Sequence, residues 1–324
     1  MRAASIAFLA LCGCATAKPQ PGPMTSDPSL MAAAAEASRM AASMQLANAE
    51  AERACAPLLA AEITWPEERF VGRKFALQAT RNLGHLYAGG PKDEVATYVA
   101  VVGKNLASRS ARPDLPWTFA VVESETASAS NAPGGYVFVT TGLLASLHNE
   151  AELAGVLAHE IGHVVHKDTL LKYRDARHKQ CVAAKWAALA LASGGPGNPT
   201  TADAAKFAGK FDGAFDLEAA EDPFVTFVMN AVMTLAQFGN DPEAEFAADD
   251  AAARLVAFAG YDVGEYERYL LSQGPPAAGG FARHPAAEQR TTKLRSLRQG
   301  DLAAFANGTA RPDVTARFAG LKKR

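Results

Sequence analysis

The sequence is poor in cysteine and has little net charge. Its 324 residues include 4 Cys, and 32 Lys and Arg against 34 Asp and Glu give a net charge of -2 at pH 7. Nucleic-acid binding normally requires a strongly basic face, so we expect no nucleic-acid partner. The cysteines show no CxxC spacing, which argues against a metal or redox centre built on them.

The N-terminus lacks an apolar run long enough for a membrane span. Arg2 is followed by apolar residues 3–11 and then by small residues, whereas a spanning helix needs about 20 apolar residues. This layout is typical of a secretory signal. We therefore expect residues 1–13 to be removed and leave them out of the fold.

The four residues Leu11-Cys12-Gly13-Cys14 resemble a bacterial lipobox. The pattern predicts that Cys14 is acylated and becomes the mature N-terminus, so that lipid chains provide the membrane anchor. An ordinary signal peptide cut near Ala15 or Ala17 is the alternative. The address expected from a lipobox is the periplasmic side of the bacterial envelope, as an outer-membrane lipoprotein.

The rest of the chain is rich enough in hydrophobic residues, 49% overall, for a globular core. Composition and periodicity predict a series of elements between residues 93 and 297. These are a helix at 93–107, strands at 117–122 and 136–140, a helix at 150–167 with Asn149 as N-cap, and helices at 224–238, 241–259 and 285–297. Cys55 and Cys181 can pair by count, but the sequence leaves the pairing open.

The helix predicted at 150–167 contains the string His159-Glu160-Ile161-Gly162-His163. Histidines at i and i+4 project from one helical face, so both imidazoles can reach one Zn²⁺ ion. Glu160 lies beside that face and can act as the general base for the water that the metal activates. The motif predicts peptide hydrolysis without a covalent intermediate.

A catalytic zinc needs a third protein ligand. The metzincin pattern would place a histidine where this chain has Thr169, so that class is rejected. Glu245 is the better candidate, with Asp249 on the same helical face positioned to accept the free ring N–H of a zinc histidine. A solvated acidic helix face is the alternative for this pair.

Four segments resemble the HtpX/BepA-like family of gluzincin peptidases, which includes the CAAX prenyl proteases. They are the run from Pro133 to Leu144, the approach from Glu152 into the HExxH motif, the ExxxD element Glu245 to Asp249, and His284-Pro285 with Arg290. The resemblance implies one Zn²⁺ per chain held by His159, His163 and Glu245. It also implies that His284 lies close to the metal, where it could stabilise the oxyanion or cover the zinc at rest, with Arg290 behind the ligands; a surface histidine that caps the last helix is the alternative.

The resemblance implies a zincin-like α+β fold, mostly helical with a small β-sheet. The organisation we expect is a signal peptide at 1–13, a flexible tether at 14–30, a helical region at 31–92, and a zinc metallopeptidase domain at 93–324 with an insertion at about 193–223. The chain departs from the family pattern Asn-Ala-Phe-Ala at Ser128-Ala129-Ser130-Asn131. The strand at 136–140 could add an extended substrate to the sheet edge, or it could be purely structural.

The function implied is a zinc endopeptidase that acts on unfolded or misassembled envelope proteins, in quality control. The alternative is a chaperone or assembly factor that keeps the zinc fold but rarely cleaves. A polypeptide substrate is expected in either case. The sequence does not indicate an oligomeric state.

Overall fold

The computed structural model describes residues 27–88, 92–192, 199–212, 223–236, 240–273, 284–305 and 308. The chain divides into two compact units, Met1–Ala47 and Asn48–Arg324. The predicted signal peptide, Cys14 and most of the predicted tether lie outside the described residues, as does much of the predicted insertion. Their boundaries therefore stay predictions.

The described elements are mostly helices with one small sheet. The helices are α1 (Pro28–Cys55), α2 (Pro57–Ala60), α3 (Trp65–Leu83), α4 (Lys92–Ala107), α5 (Thr141–Ser146), α6 (Glu150–His166), α7 (Asp168–Ala192), α8 (Pro199–Ala205), α9 (Pro223–Ala236), α10 (Pro242–Phe258), α11 (Val263–Ser272) and α12 (Ala287–Gln299). The strands are β1 (Thr118–Val122), β2 (Ala129–Ala132) and β3 (Tyr136–Thr140). This composition confirms the α+β fold class.

The ends of α6 are fixed by local hydrogen bonds. Asn149 is the N-cap, and its side chain accepts a hydrogen bond from the backbone N–H of Glu152. At the other end Lys167 adopts a left-handed conformation, with a φ of 62°. Its N–H donates to the carbonyls of His163 and Val164, which ends the helix and lets α7 begin one residue later.

The sheet has the strand order β1-β3-β2. β3 pairs in parallel with β1 and antiparallel with β2, and Gly134 and Gly135 make the β2–β3 turn with φ values of 80° and 96°. Since β3 has a neighbour on both sides, it cannot add a substrate strand, and its role is structural. Residues 85–87 bond to part of the outer side of β1, so among the described strands β2 presents the open edge.

The core is built around α6. Every residue of this helix from Glu150 to Val164 is buried, because α4, α10, α11 and the sheet all pack against it. A helix surrounded in this way must be apolar on nearly all sides. Its polar side chains are therefore held inside the protein, where each needs a partner.

Gly162 allows α6 and α10 to approach closely. A Cβ atom at this position would lie 3.0 Å from the Cα atom of Ala248 and 3.1 Å from its carbonyl oxygen. A side chain at position 162 would require the backbone of Ala248 to move by a few tenths of an ångström. This contact sets the distance between the two histidines on α6 and the acidic residues on α10.

A disulfide joins Cys55 to Cys181, with their Cα atoms 5.9 Å apart. It links the end of α1 to the middle of α7, and both cysteines are buried. The pairing that the sequence left open is therefore made. A cross-link that closes a loop of 126 residues restricts the unfolded chain.

We expect Gly162→Val to lower the free energy of unfolding by about 1–3 kcal/mol, because the added methyl groups overpack the α6–α10 contact. The same variant should bind zinc more weakly, since the two helices carry different ligands. Chemical denaturation measures the first effect and chelator competition the second.

The matched control is Gly209→Ala, because an added Cβ there meets no atom within 4 Å. We expect this variant to keep the stability and zinc affinity of the parent. Equal stability of the parent and Gly162→Val would contradict the packing argument.

Candidate metal centre

His159 and His163 lie one turn apart on α6, with their Nε2 atoms 3.1 Å from each other. Both rings are buried, and their centroids are 4.6 Å apart. Two ring nitrogens that face each other this closely suit a shared metal ion better than a bond to each other. The i, i+4 spacing in the sequence therefore becomes a convergent pair of donors.

Glu245 on α10 completes the donor set. Its Oε2 atom lies 3.4 Å from Nε2 of His159, and its Oε1 atom lies 3.5 Å from Nε2 of His163. Ligands in a tetrahedral zinc site, at bond lengths of about 2.0–2.1 Å, are separated by about 3.3 Å. The three side chains, whose donor atoms all lie within 4.8 Å of one another, thus fit a Zn²⁺ ion.

A buried acidic network orients the His159 ring. Asp249 Oδ1 lies 3.0 Å from Nδ1 of His159, which leaves Nε2 directed at the donor set. Arg290 donates to Asp249 from Nε at 2.8 Å and from Nη2 at 2.6 Å, and the Tyr266 hydroxyl donates to Asp249 at 2.9 Å. The predicted residues Asp249 and Arg290 therefore meet directly behind the histidine.

The pKa values in this network follow from burial and hydrogen bonding. Burial raises the pKa of Asp249, but hydrogen bonds from Arg290 and His159 outweigh it and hold that pKa well below its usual range. Burial lowers the pKa of His159, but its bonds with Asp249 and Glu245 outweigh it and raise that pKa to about 9. The buried carboxylates around this ring therefore favour positive charge at the centre.

His163 is oriented by Asp168, which the sequence analysis did not single out. The Oδ2 atom of Asp168 lies 2.6 Å from Nδ1 of His163, and Asp168 is buried. The left-handed turn at Lys167 allows this contact, because it brings the first residue of α7 back toward α6. An acidic residue five positions after the second histidine was the available signal.

Asn240 supports Glu245 from the start of α10 and was also missed. Its Nδ2 atom donates to Glu245 Oε1 at 2.9 Å, and its Oδ1 atom accepts from Lys172 Nζ at 2.7 Å. In the sequence Asn240 precedes the capping pair Asp241-Pro242, which made it resemble a loop residue. Only the folded chain brings it to the metal ligands.

His284 lies against the donor set. Its Nδ1 atom contacts Glu245 Oε2, and its ring centroid is 5.4 Å from that of His159. It does not cap the last helix, because α12 begins at Ala287 with Ala286 as a cap that has no side-chain bond. The side chain is 33% exposed, so it stands at the mouth of the centre.

Glu160 is buried beside the two histidines on α6. Its Oε2 atom accepts a hydrogen bond from Nδ2 of Asn131 on β2 at 2.7 Å. The centre therefore contains a ligand set, an adjacent carboxylate outside that set, and a histidine at its mouth. This combination can activate water for hydrolysis.

The fold and the centre define the class of zinc metallopeptidases of the HExxH type with a distant glutamate. Residues 93–298 match Peptidase family M48, and because this is more than half of the chain, the chain belongs to Peptidase family M48. It is a zinc-dependent peptidase that acts on polypeptides. The predicted family resemblance is confirmed.

Several relatives are similar to this chain. A protease HtpX homolog of Burkholderia thailandensis is 29% identical over 210 residues, which cover 60% of this chain and 72% of that protein. A Burkholderia mallei homolog matches to the same extent. The mitochondrial metalloendopeptidase OMA1 of Schizosaccharomyces pombe is 38% identical over 85 residues, which cover 26% of this chain and 25% of that protein.

The expected cellular location, as an outer-membrane lipoprotein on the periplasmic side, is wrong. The matching relatives are HtpX homologs and a mitochondrial metalloendopeptidase, and neither kind is an outer-membrane lipoprotein. The location had been predicted from four N-terminal residues alone. Acylation of Cys14 stays a prediction. In the part of the chain that the structure describes, no helix has both the length and the apolar character for a membrane span.

We expect Asp168→Ala to raise the dissociation constant for zinc roughly 10- to 100-fold, because His163 loses the partner that fixes its ring. Competition with a chromophoric chelator measures this change. The matched control is Asp175→Ala on the same helix, where the carboxylate is exposed and forms a 3.7 Å ion pair with Arg174. Equal zinc affinity of the two variants would show that Asp168 does not support His163.

Proposed function

We propose that this chain is an endopeptidase that holds one Zn²⁺ ion through His159, His163 and Glu245, with Glu160 as the general base. The observation that carries the proposal is that three donor side chains converge on one point. A fourth side chain, the carboxylate of Glu160, lies beside them on the same helix as the histidines. A purely structural zinc site would need no such carboxylate, and structural sites are normally closed by Cys and His.

The bound zinc would polarise the substrate carbonyl and lower the pKa of the attacking water. Glu160 accepts the proton of that water and passes it to the leaving amine. His284 is placed to donate a hydrogen bond to the developing oxyanion once its contact with Glu245 is broken. Asp249 and Asp168 keep the ligand rings in a fixed orientation, and Arg290 neutralises Asp249.

The proposed substrate is an unfolded or extended polypeptide. Among the described strands β2 has one strand neighbour and packs beside α6, and a strand that adds to its outer edge would gain affinity through main-chain hydrogen bonds with little side-chain selection. Low selectivity suits quality control of unfolded or misassembled proteins, including those of the envelope.

A second candidate is a chaperone that rarely cleaves. The contact between His284 and Glu245 favours it, because a histidine that occupies the mouth of the centre would keep the peptidase latent. Such a protein would bind extended polypeptides at the same sheet edge. The two candidates differ in whether Glu160 is needed.

The test compares the parent protein with Glu160→Gln and Glu245→Ala for bound zinc and for cleavage of an unfolded protein. We expect about one zinc in the parent and in Glu160→Gln, weaker zinc retention in Glu245→Ala, and a cleavage rate about 10²–10⁴-fold lower in Glu160→Gln. Glu243→Ala, at an exposed position on α10, is the control for Glu245→Ala and should match the parent.

Zinc binding without cleavage by the parent would favour the chaperone. In that case Glu160→Gln should keep the ability to prevent aggregation of the unfolded protein. Absence of zinc from the parent would overturn the proposed centre.

A further inference from the structure

The hydrogen bond from Asn131 to Glu160 has no place in the mechanism above. Its donor is the side-chain amide of a half-buried residue on β2, and its acceptor is the buried carboxylate of the general base. The N···O distance is 2.7 Å. A bond of this length to an anionic acceptor is among the stronger hydrogen bonds in proteins.

The Asn131 backbone is held in place from both ends of β2. Asn131 pairs with Val137 in the antiparallel ladder. At the start of the strand the N–H of Ser128 donates to Oγ1 of Thr140 at 3.0 Å, and the N–H of Thr140 donates to the carbonyl of Ser128 at 3.0 Å.

The turn after β2 is fixed from outside the sheet. The N–H of Gly134 donates to Oε1 of Glu68 at 3.0 Å, and Arg112 holds the same carboxylate through both of its terminal nitrogens. Asn131 is therefore presented to α6 from a short strand that is fixed at both ends. A donor on such a support can select one conformation of its acceptor.

The chemistry of the pair sets its direction. An ionised carboxylate can only accept hydrogen bonds, so the amide nitrogen of Asn131 must face Glu160 and the amide oxygen must face away. With Oε2 engaged, the Glu160 side chain is held in one rotamer. Its other oxygen, Oε1, then keeps one direction, from which it can accept the proton of the attacking water.

We propose that Asn131 is a positioning residue for the general base, in a role that rests on the proposed peptidase function. Asn131 stands at the last position of the family pattern Asn-Ala-Phe-Ala, where the pattern has alanine. The contact acts through Glu160 rather than through the metal or the substrate.

The experiment measures kcat and KM of the zinc-loaded full chain on a quenched fluorescent peptide, for the parent, Asn131→Ala and Asn131→Asp. We expect kcat of Asn131→Ala to fall roughly 10- to 100-fold, because a misplaced catalytic group loses this much. KM, zinc content and the unfolding temperature should stay near those of the parent. Asn131→Asp keeps the shape but removes the donor and adds a negative charge, so its kcat should be no higher than that of Asn131→Ala.

The control is Asn82→Ala, the same chemical change at an exposed position on α3, which should match the parent. An unchanged kcat in Asn131→Ala, a rise in KM alone, or a parent-like kcat in Asn131→Asp would each overturn the proposal. Failure of the peptidase function itself would appear differently, as a zinc-loaded parent without cleavage.

In that event crystal structures of the parent and Asn131→Ala decide the positioning role. One Glu160 rotamer in the parent and several in the variant would support it. The same single rotamer in both proteins would overturn it.

Discussion

The close contact between α6 and α10 is the constraint on which the metal centre depends. Two histidines on one helix can supply only two ligands, and the third must come from a helix packed at a fixed distance. Gly162 sets that distance, because any side chain there would strike the backbone of Ala248. Glu245 and Asp249 then face the two ring nitrogens of His159. The contact between the two helices therefore positions the ligand Glu245 and also Asp249, which orients the ligand His159.

Three buried carboxylates of this core have partners that can offset their charge. Glu245, Asp249 and Asp168 are buried carboxylates, and burial of unpaired carboxylates would cost several kcal/mol each. Arg290 neutralises Asp249. The ring nitrogens of His163 and His159 bond to Asp168 and Asp249, and a divalent cation would compensate Glu245. The same interactions that stabilise the core therefore favour a cation over an empty centre.

Local sequence signals predicted the part of the fold that local interactions determine. The cap at Asn149, the β-branched and aromatic residues of β3 and the helical spacing in α4 and α10 depend on neighbours within a few residues, and these elements lie where the pattern placed them. α7 and α11 were not predicted. α7 packs against other elements on several sides. Its sequence therefore has no single apolar stripe that would predict a helix.

The candidate site divides in the same way. The HExxH motif is a local pattern, helical spacing made Glu245 and Asp249 candidates, and the family resemblance supported them and supplied His284 and Arg290. Asp168, Asn240 and Asn131 were missed because each belongs to no motif and reaches the centre only through tertiary packing. β2 was missed because Ala, Ser and Asn have low strand propensity, and the strand forms because β3 and its glycine turn provide a partner.

The path of the chain after the HExxH helix has a consequence for how this protein can diversify. The polypeptide leaves the centre at Asp168, which holds His163, and returns to it at Asn240, which holds Glu245. Both points of departure and return are thus anchored to ligands, and Lys172 near the start of α7 joins them by donating to Asn240. Changes after Lys172 that keep this contact and the Cys55–Cys181 disulfide can alter the chain between the anchors, so selection can remodel substrate choice and hydrolysis separately.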